Sequence, residues 1–393
     1  GDKSYMDRAR IASQTQSKLG MILFGEEGTG KSSLALQLAY FKRPDGKPFR
    51  VLYIDNENGS IDDFIDNLSA DGIDVGNIYI VYTQSLGETR DYIKKVKNRE
   101  DFYEIDENGN ETENVVLDAD GQPFRADAIV VDGTTILNLT TKQALVEFSK
   151  KRNAVKAKKK ELTGIEKTVT IEGAGLELKD YQTVNFKGQD LILDLMSCGV
   201  HYIITARETD EKVSVKGDDG QITNVCTGKK IPDGFKQMNY NVKTVVRMYI
   251  NEDGNFCSYI SKDRTGVHDK ETVEDLSLVD WQVVIDRTKD KKEFSVNNDL
   301  TKAVDVEQDI YSREVEGKLG EPVNSTNDTD ESASQIEETI ERICEIMKSL
   351  NPVGKTKAKE ALTSAELPIK PTEIKKITDI DVLNHIIEII SKI

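Results

Sequence analysis

The chain has 393 residues, of which 37% are hydrophobic and 31% are charged, and its formal net charge is −17. These values are typical of a globular protein with a well-solvated surface, and no apolar run approaches the roughly 20 residues of a membrane helix. The acidic balance argues against a protein that coats nucleic acid through bulk charge, although it leaves room for a local basic groove. Four widely spaced cysteines form no paired motif, and the opening residues lack the apolar core of a secretory signal. We therefore expect a cytoplasmic protein, or one of the host cytoplasm if it is viral.

Short apolar runs predict buried strands at residues 20–24, 51–54, 78–81, 128–131 and 201–204. Helical stretches separate these runs, beginning with the periodic segment 32–40. This alternation indicates a mainly parallel sheet that is covered on both faces. Farther along, residues 242–250 and 256–261 flank a turn and predict an antiparallel hairpin.

Two insertions interrupt this pattern, at about residues 100–125 and 142–176. The first contains two turn-like clusters and predicts a projecting hairpin. Both clusters resemble fragments of calcium loops, but neither continues to the distal glutamate that such a loop needs. The second insertion carries a basic run: Lys150, Lys151, Arg152, Lys156, Lys158, Lys159 and Lys160.

Composition also predicts the domain organisation. Residues 1–300 form one domain with the two insertions. Residues 301–334 include a run of Asn, Ser, Thr, Asp and Glu, and predict a flexible acidic linker. Residues 335–393 contain three segments with helical patterns, and we expect a small helical module there.

A glycine-rich segment joins the first predicted strand to the first predicted helix. Glycines let backbone amides turn toward an anion, and the following helix adds the positive end of its dipole. In such a phosphate-binding loop, Lys31 reaches the β- and γ-phosphates of ATP and Ser32 is a ligand of Mg²⁺. The predicted nucleotide-binding residues are Gly25, Glu26, Glu27, Gly28, Thr29, Gly30, Lys31, Ser32 and Ser33.

Acidic residues follow two of the other predicted strands. Glu57 comes just after strand 51–54, where a carboxylate can polarise the water that attacks the γ-phosphate. An exposed acidic turn before a helix explains Glu57 equally well. Asp132 follows strand 128–131 at the position of a Walker B carboxylate, which holds the magnesium shell together with Ser32. After strand 201–204, Thr205 or Arg207 could sense the γ-phosphate or simply lead out of the sheet.

The order and spacing of these motifs resemble the RecA-like P-loop ATPase core, the branch shared with DnaB-type hexameric helicases. Phage-type ATPases with a single RecA-like domain, some of which act in single-strand annealing or recombination, are especially similar. The resemblance covers roughly residues 18–288. It implies an α/β fold with a RecA-like P-loop NTPase core and a mainly parallel central sheet, followed here by a small C-terminal all-α module. In RecA relatives the second core strand ends in Asp-x-Glu with the Glu as catalytic base, and Asp55-Asn56-Glu57 matches that pattern.

A late basic motif extends the resemblance. DnaB-type helicases carry Lys-x-Arg-x-Gly, whose basic side chains reach the γ-phosphate in the neighbouring subunit. Lys262, Arg264 and Gly266 match this pattern. The resemblance therefore implies that Lys262 and Arg264 act in trans within a homo-oligomer, either a hexamer or a filament. The alternative explanation of the segment is a solvated basic turn.

The resemblance also suggests a contact with single-stranded DNA. RecA-like oligomers hold the strand with loops that follow the Walker B strand and the next strand, here residues 142–176 and 209–237. Their basic side chains would neutralise phosphates, although a solvated charged helix is the plain alternative. We expect an ATP- and Mg²⁺-dependent, DNA-stimulated ATPase of phage origin that acts in recombination, repair or replication. The alternatives are an ATP-gated scaffold or loader that binds a protein partner through the C-terminal helices, and a replicative helicase.

Overall fold

A computed structural model describes residues 16–59, 61–217, 220–291, 300–315, 328–365 and 380–392, together with Leu367, Ile374 and Ile377. The chain divides into two compact units, which meet in the sequence at Gln308 and Asp309. Among the described residues, no helix combines the length and the apolar character needed to cross a membrane. All four cysteines are free.

The first unit contains the sheet. Its strands are β1 (Gly20–Gly25), β2 (Val51–Asp55), β3 (Ile78–Tyr82), β4 (Tyr103–Ile105), β5 (Glu111–Val115), β6 (Ala128–Asp132), β7 (His201–Lys216), β8 (Ile222–Pro232), β9 (Thr244–Ile250), β10 (Phe256–Asp263) and β11 (Glu271–Glu274). Its helices are α1 (Lys31–Leu36), α2 (Asp62–Ala70), α3 (Leu86–Asn98), α4 (Thr134–Lys159), α5 (Gly164–Glu172), α6 (Leu178–Ser197), α7 (Met238–Asn241) and α8 (Gln282–Asp286). Helix α9 (Leu300–Val315) crosses from the first unit into the second.

The main sheet has the order β11-β10-β9-β1-β7-β6-β2-β3. The six strands from β9 to β3 are parallel to their neighbours, whereas β10 and β11 are antiparallel. Strand β7 separates β1 from β6, so the strand before the phosphate loop and the strand before Asp132 are not neighbours. This confirms the predicted α/β fold with a mainly parallel sheet, and the arrangement is that of a RecA-like core.

Two apolar layers cover the sheet, because successive side chains of a strand point to opposite faces. Along β1, Met21 and Leu23 belong to the layer that also holds Tyr53 and helices α1 and α8. Ile22 and Phe24 belong to the opposite layer, which is formed with α3, α4 and α6. All five side chains are buried. The runs of apolar residues in the sequence follow from burial on both faces.

The two predicted insertions have different structures. The first forms the predicted hairpin, with β4 antiparallel to β5. The second is helical: α4 runs on for 26 residues and packs against α5. Segment 209–237, expected as a loop, is a two-stranded ribbon in which β7 continues past the main sheet and pairs with β8 alone.

Besides the end of α9, the described residues of the second unit form helices α10 (Asp328–Ser349), α11 (Pro352–Ser364) and α12 (Ile380–Ile390). A separate apolar cluster holds them together, with Ile343, Leu362, Leu383 and Ile386 at its centre. The predicted C-terminal helices are therefore present. The stretch predicted as a linker includes α9, while residues 316–327 lie outside the described residues, and the domain boundaries stay predictions.

Candidate nucleotide-binding site

The segment between β1 and α1 has the geometry of a phosphate-binding loop. Gly30 (φ 86°) caps α1 and Gly28 has φ 75°, both in the left-handed region that glycine adopts without strain. A Cβ atom on Gly25 would lie 2.1 Å from the carbonyl oxygen of Met248, so no larger residue fits there. These three glycines let the loop turn sharply between the strand and the helix N-terminus, where backbone amides favour an anion.

Lys31 lies over the loop. Its Nζ donates hydrogen bonds to the carbonyl oxygens of Gly25 and Glu26, at 3.1 and 2.6 Å. Burial lowers the pKa of Lys31, while the negative charges of Glu57 and Asp132 act in the opposite direction. Glu57 and Asp132, which the sequence predicts for the same site, therefore lie close enough to Lys31 to act on its charge.

Asp132 is fixed by two hydroxyl groups from neighbouring strands. Tyr53 donates its phenolic hydrogen to Oδ2 of Asp132 at 2.5 Å, and Thr205 donates to Oδ1. Ser32 lies near the phenol of Tyr53, whose pKa burial raises well above its ordinary value. The two residues predicted to hold magnesium, Ser32 and Asp132, are thus both neighbours of Tyr53. The sequence does not single out Tyr53, because a tyrosine within a buried strand looks like a core residue.

Glu57 projects into the site from a turn that Asp55 builds. The carboxylate of Asp55 accepts hydrogen bonds from the amides of Glu57 and Gly59, at 2.9 and 2.7 Å. An oxygen of Glu57 lies 3.4 Å from Nη2 of Arg207. Gly133 (φ 108°) gives this side chain its room, since a Cβ atom there would lie 2.7 Å from Cγ of Glu57. Asp55 therefore has a structural role, while Glu57 and Arg207 face the site.

A cavity of about 620 Å³ lies beside the phosphate loop. Residues 27–34 line it together with the polar side chains of Gln37, Glu57, Arg207, Ser258 and Asp275. The apolar part of its wall is formed by Phe64, Met248, Phe256 and Leu276. Ligand cavities of this size usually combine an apolar wall with a few convergent polar groups, and this cavity has both features.

The donor set is suited to Mg²⁺. Hard cations of this size prefer carboxylate and hydroxyl oxygens, and Mg²⁺ is usually held by one or two such groups, substrate phosphates and waters. Asp132 and Ser32 supply those oxygens, and hydrogen bonds from Tyr53 and Thr205 orient the carboxylate. Such outer partners are the usual way in which a protein fixes a metal ligand.

Lys262 and Arg264 lie at the opposite edge of the sheet. Strand register pairs Gly25 with Met248 near the loop, whereas Asp263 pairs with Thr244 at the other end of β9. This end lies beside the beginning of β1, whose six residues span about 20 Å. The structure does not bring Lys262 or Arg264 to the phosphate loop of the same chain.

Three of the seven basic residues in the second insertion, Lys150, Arg152 and Lys156, pair with acids of the same helical region. Lys150 lies 3.0 Å from Glu172, and Arg152 lies 2.6 Å from Asp180. The sequence did not indicate these pairs, because the acidic partners lie on other helices. Part of this charge is therefore already neutralised within the fold.

No family model matches the chain, and the search of curated proteins found no relative. Among solved structures, a KaiC-like protein from the hyperthermophilic archaeon Pyrococcus horikoshii aligns with 68% of this chain and 94% of its own. The sequence identity is 15% and the TM-score is 0.37. The strand order and the phosphate loop of the chain itself define a RecA-like P-loop fold.

Proposed function

We propose that this protein is a Mg²⁺-dependent ATPase whose active site is completed by a second copy of the chain. One observation carries the ATPase proposal: Lys31, Ser32 and Glu57 line one cavity at the carboxyl-terminal edge of a parallel sheet, and Asp132 lies at the same edge, where its charge acts on Lys31. Nucleotides bind at this edge in open α/β folds, where loops and helix N-termini meet. A nucleophile-activating carboxylate beside a phosphate-binding loop is the arrangement that phosphoryl transfer to water requires.

Each side chain has a distinct task in this proposal. Lys31 and the loop amides bind the β- and γ-phosphates, and Ser32 with Asp132 holds the metal position. Bound Mg²⁺ supplies charge neutralisation at the phosphate oxygens. Glu57 orients the attacking water and accepts its proton. Arg207 lies 3.4 Å from Glu57 and holds this base in place while no nucleotide is bound. When ATP binds, the γ-phosphate becomes the stronger partner of Arg207.

The apolar wall of the cavity supports a place for the nucleobase. Phe256 and Met248 are carried by the paired strands β10 and β9, close to Gly30. A base stacked against Phe256 would leave the triphosphate pointing toward Lys31, since the loop lines the same cavity. This arrangement explains how the chain could bind a whole nucleotide and not only its phosphates.

The oligomer is proposed from the position of the late basic motif. Because Arg264 and Lys262 are about one strand length from the loop of their own chain, a nucleotide phosphate that they contact would belong to a neighbour. Two different surfaces of the chain would then meet, and such contacts build rings or filaments. A phage origin and a role in recombination, repair or replication are carried over from the resemblance of the motifs alone.

Contact with single-stranded DNA is supported best at the β7–β8 ribbon. Lys212 and Lys216 are exposed there, beside exposed Val213 and Val225. Isolated two-stranded ribbons are marginally stable in water, so a ribbon of this kind is suited to folding against a ligand.

The alternative proposal is a partner-gated scaffold that uses the C-terminal helices. It predicts a rate of ATP turnover that DNA does not change.

The test is steady-state ATP hydrolysis with and without single-stranded DNA. Glu57→Gln should retain ATP binding and lose about 100-fold or more in turnover, since general-base catalysis contributes that much. Lys31→Ala should lose binding. Glu107→Gln, an exposed residue of the β4–β5 turn, is the matched control and should behave as wild type. Lys212→Ala/Lys216→Ala should lose only the stimulation by DNA.

Two results would contradict these proposals separately. A wild-type protein that neither binds nor hydrolyses ATP, or a fully active Glu57→Gln variant, would reject the ATPase mechanism. Normal ATP turnover that DNA leaves unchanged would reject the DNA proposal and favour the partner-gated scaffold.

A further inference from the structure

A second cavity of the first unit, with a volume of about 720 Å³, lies at the amino-terminal edge of the parallel strands. Its lining includes Arg50, which precedes β2, Asp127, which precedes β6, and His201, which begins β7. The phosphate loop and Glu57 lie at the opposite edge, and the five residues of β2 alone span about 17 Å. An occupant of this cavity would therefore be separate from a nucleotide on the loop. We call this space the edge cavity.

Most charged side chains around the edge cavity are engaged within the fold. Asp127 accepts hydrogen bonds from the amide and from Nε of Arg50, both at 2.9 Å. Arg125 pairs with Asp101 in the same way. Opposite charges at such distances already satisfy one another, so the charges of the lining do not by themselves define a ligand.

Arg43 is the exception. Its side chain is 16% exposed, and its Nε is buried without a hydrogen-bond partner. The carboxylates of Asp45 and Asp127 lie 3.6 and 3.9 Å from Nε, which is near enough for attraction and too far for a hydrogen bond. No described residue accepts a hydrogen bond from either terminal nitrogen of Arg43. A guanidinium carries five donors, and leaving them without acceptors in a largely buried place costs free energy.

The loop that carries Arg43 holds its backbone in one place. The amide of Arg43 donates to the carbonyl oxygen of Lys47 at 2.8 Å, and the carbonyl oxygen of Arg43 accepts from the amide of Gly46 at 2.9 Å. On either side of this turn, the rings of Phe41 and Phe49 pack together with their centroids 5.5 Å apart. Arg43 therefore extends from a fixed base, which a side chain that binds a ligand needs.

His201 supplies a second donor. Its Nδ1 accepts a hydrogen bond from the amide of Leu19 at 2.9 Å, so the ring hydrogen of the neutral imidazole lies on Nε2. Burial lowers the pKa of His201 well below its ordinary value, and the charges of Lys18 and Lys243 act in the same direction, so the ring stays neutral. Only 5% of the residue is exposed, and no described residue accepts a hydrogen bond from Nε2.

Asp127 brings these two donors together. Its carbonyl oxygen accepts from the amide of His201 at 3.1 Å, while its carboxylate lies beside Nε of Arg43. The ring of Phe49 packs against the imidazole, with centroids 5.2 Å apart. Four further apolar side chains belong to the same lining: Val96, Phe102, Val200 and Ile285. A cavity of this size that combines apolar walls with a few convergent polar groups is the usual form of a ligand site.

We propose that the edge cavity binds a small organic anion, whose oxyanion group accepts hydrogen bonds from Arg43 and His201 and whose apolar body lies against Phe49. The planar guanidinium fork matches a carboxylate or a phosphate, and charge-assisted hydrogen bonds are the stronger ones. The carboxylate of Asp127 is already bonded to Arg50, which limits its repulsion of an anion. This site is separate from the nucleotide-binding site, and its occupation does not depend on ATP hydrolysis.

The first experiment follows the fluorescence of anilinonaphthalene sulfonate, a probe that combines an aromatic body with an oxyanion. Every protein carries Lys31→Ala, which disables the phosphate loop and leaves the edge cavity as the site under test. Adding Arg43→Ala should weaken saturable binding about tenfold or more, because hydrogen bonds to a charged group are lost. This variant should fold normally, since the Arg43 side chain makes no hydrogen bond to a described residue. The matched control adds Lys47→Ala, an exposed lysine of the same loop outside the described lining.

A second pair of variants tests His201. In His201→Asn the side-chain oxygen can still accept from the amide of Leu19, whereas the Nε2 donor is gone. The affinity for the probe should again fall about tenfold. Tyr202→Phe, at the next position of β7 and outside the described lining, is the control. If urea denaturation shows that His201→Asn does not fold, the Arg43→Ala comparison decides alone.

Competition with the probe identifies the anion. Phenyl phosphate and benzoate carry the same apolar ring with a phosphate or a carboxylate. The one that displaces the probe at the lower concentration gives the preferred oxyanion. Benzyl alcohol keeps the ring without the charge and should displace the probe at least about tenfold less well.

The results that would overturn the site are distinct. Equal probe affinity in the Arg43→Ala protein and its Lys47→Ala control would overturn it, and so would the absence of saturable binding, since a cavity that holds only water predicts none. Displacement by benzyl alcohol at the same concentration as by either anion would overturn the oxyanion as the recognised group. Loss of ATP turnover in the wild type would reject the proposed function alone, because the edge cavity is measured in proteins that carry Lys31→Ala.

Discussion

The phenol of Tyr53 and the carboxylate of Asp132 form a buried hydrogen bond across neighbouring strands, with 2.5 Å between the two oxygen atoms. Both side chains are shielded from solvent, at 0% and 2% exposure. Burial keeps the phenol protonated, since it raises the pKa of Tyr53 well above its ordinary value. Tyr53 is therefore a permanent donor that orients the proposed metal position from within the core.

Replacing Tyr53 with Phe should weaken Mg²⁺ binding without creating a cavity in the core. The variant keeps the ring and loses one hydrogen bond to a charged group, worth about 1.5–3 kcal/mol. We expect the Mg²⁺ concentration that half-saturates MgADP binding to rise about tenfold or more, with metal-free nucleotide binding unchanged. Fluorescent-nucleotide titrations at several Mg²⁺ concentrations measure this. Tyr202→Phe, another buried tyrosine at the far end of the strands, is the control, and equal midpoints in the two variants would refute the role of Tyr53.

Gly133→Ala should displace the proposed base. Its new Cβ atom would lie 2.7 Å from Cγ of Glu57, on a backbone with φ 108° that alanine adopts only with strain. Because a small misplacement near the reacting atoms can cost about 100-fold, we expect turnover to fall at least about tenfold. Nucleotide affinity should change little.

The matched control for this change is Gly109→Ala. Gly109 also has positive φ, at 82°, but a Cβ atom there meets nothing within 4 Å. Comparing the turnover number with the dissociation constant of ADP separates displacement of Glu57 from general damage. Wild-type turnover in Gly133→Ala would count against Glu57 as the base.

Asp263→Ala should unfold the loop that carries Arg264. The carboxylate of Asp263 accepts hydrogen bonds from the hydroxyl groups of Thr244 and Thr265, at 3.0 and 2.6 Å. It also accepts hydrogen bonds from Nε1 of Trp281 and from three backbone amides, those of Thr265, Val267 and His268. Several buried donors would lose their acceptor together, so we expect the free energy of unfolding to fall by about 3 kcal/mol or more. Urea denaturation measures the loss. Asp269→Ala removes a carboxylate that receives the amide of Asp263 and should cost about 1 kcal/mol; a similar loss in both variants would contradict the special role of Asp263.

His268 should make the stability of the first unit depend on pH. Burial alone lowers the pKa of His268, but hydrogen bonds with Glu271 and Asp280, at 2.8 and 2.9 Å, outweigh it and raise the pKa above the ordinary value. The stabilisation is therefore complete below the unfolded pKa of about 6.5 and is lost as pH rises through the folded pKa. We expect about 1 kcal/mol or less, because both carboxylates are substantially exposed.

The measurement compares wild type with His268→Gln by urea denaturation between pH 5.5 and 8.5. The difference in unfolding free energy should be largest at the acidic end and shrink at the alkaline end. His385→Gln, on an exposed histidine of the second unit, provides the control. A difference that does not vary with pH would mean that the ion pairs of His268 contribute nothing.

The phosphate loop could be predicted because its chemistry lies in consecutive residues, framed by a strand and a helix. The strands could be predicted because burial on both faces requires apolar runs. Tyr53 could not, since its neighbours Leu52 and Ile54 make it look like core, and only the pairing of β2 with β6 brings its hydroxyl to Asp132.

The surroundings of the late basic motif could not be predicted for a different reason. Lys243 donates a hydrogen bond to the carbonyl oxygen of Lys18, which lies 225 positions away, and neither residue belongs to a local motif. Motif matching favoured Lys262 because of its spacing from Arg264, whereas backbone carbonyls engage its ammonium group in the folded chain. Similarly, the basic run in α4 suggested a nucleic-acid surface until its acidic partners on α5 and α6 were in place. Charge patterns along a chain do not show which charges the fold pairs.

The separation of the phosphate loop from Arg264 by the full length of the strands has a consequence for how the proposed oligomer would be regulated. In that oligomer, each molecule on its own would carry two incomplete halves of different sites. If the halves must meet, the specific activity rises with total protein concentration and collapses on dilution below the dissociation constant of the contact. The concentration of the protein would then set a threshold for ATP hydrolysis. Below that threshold, separate copies would bind nucleotide without hydrolysing it.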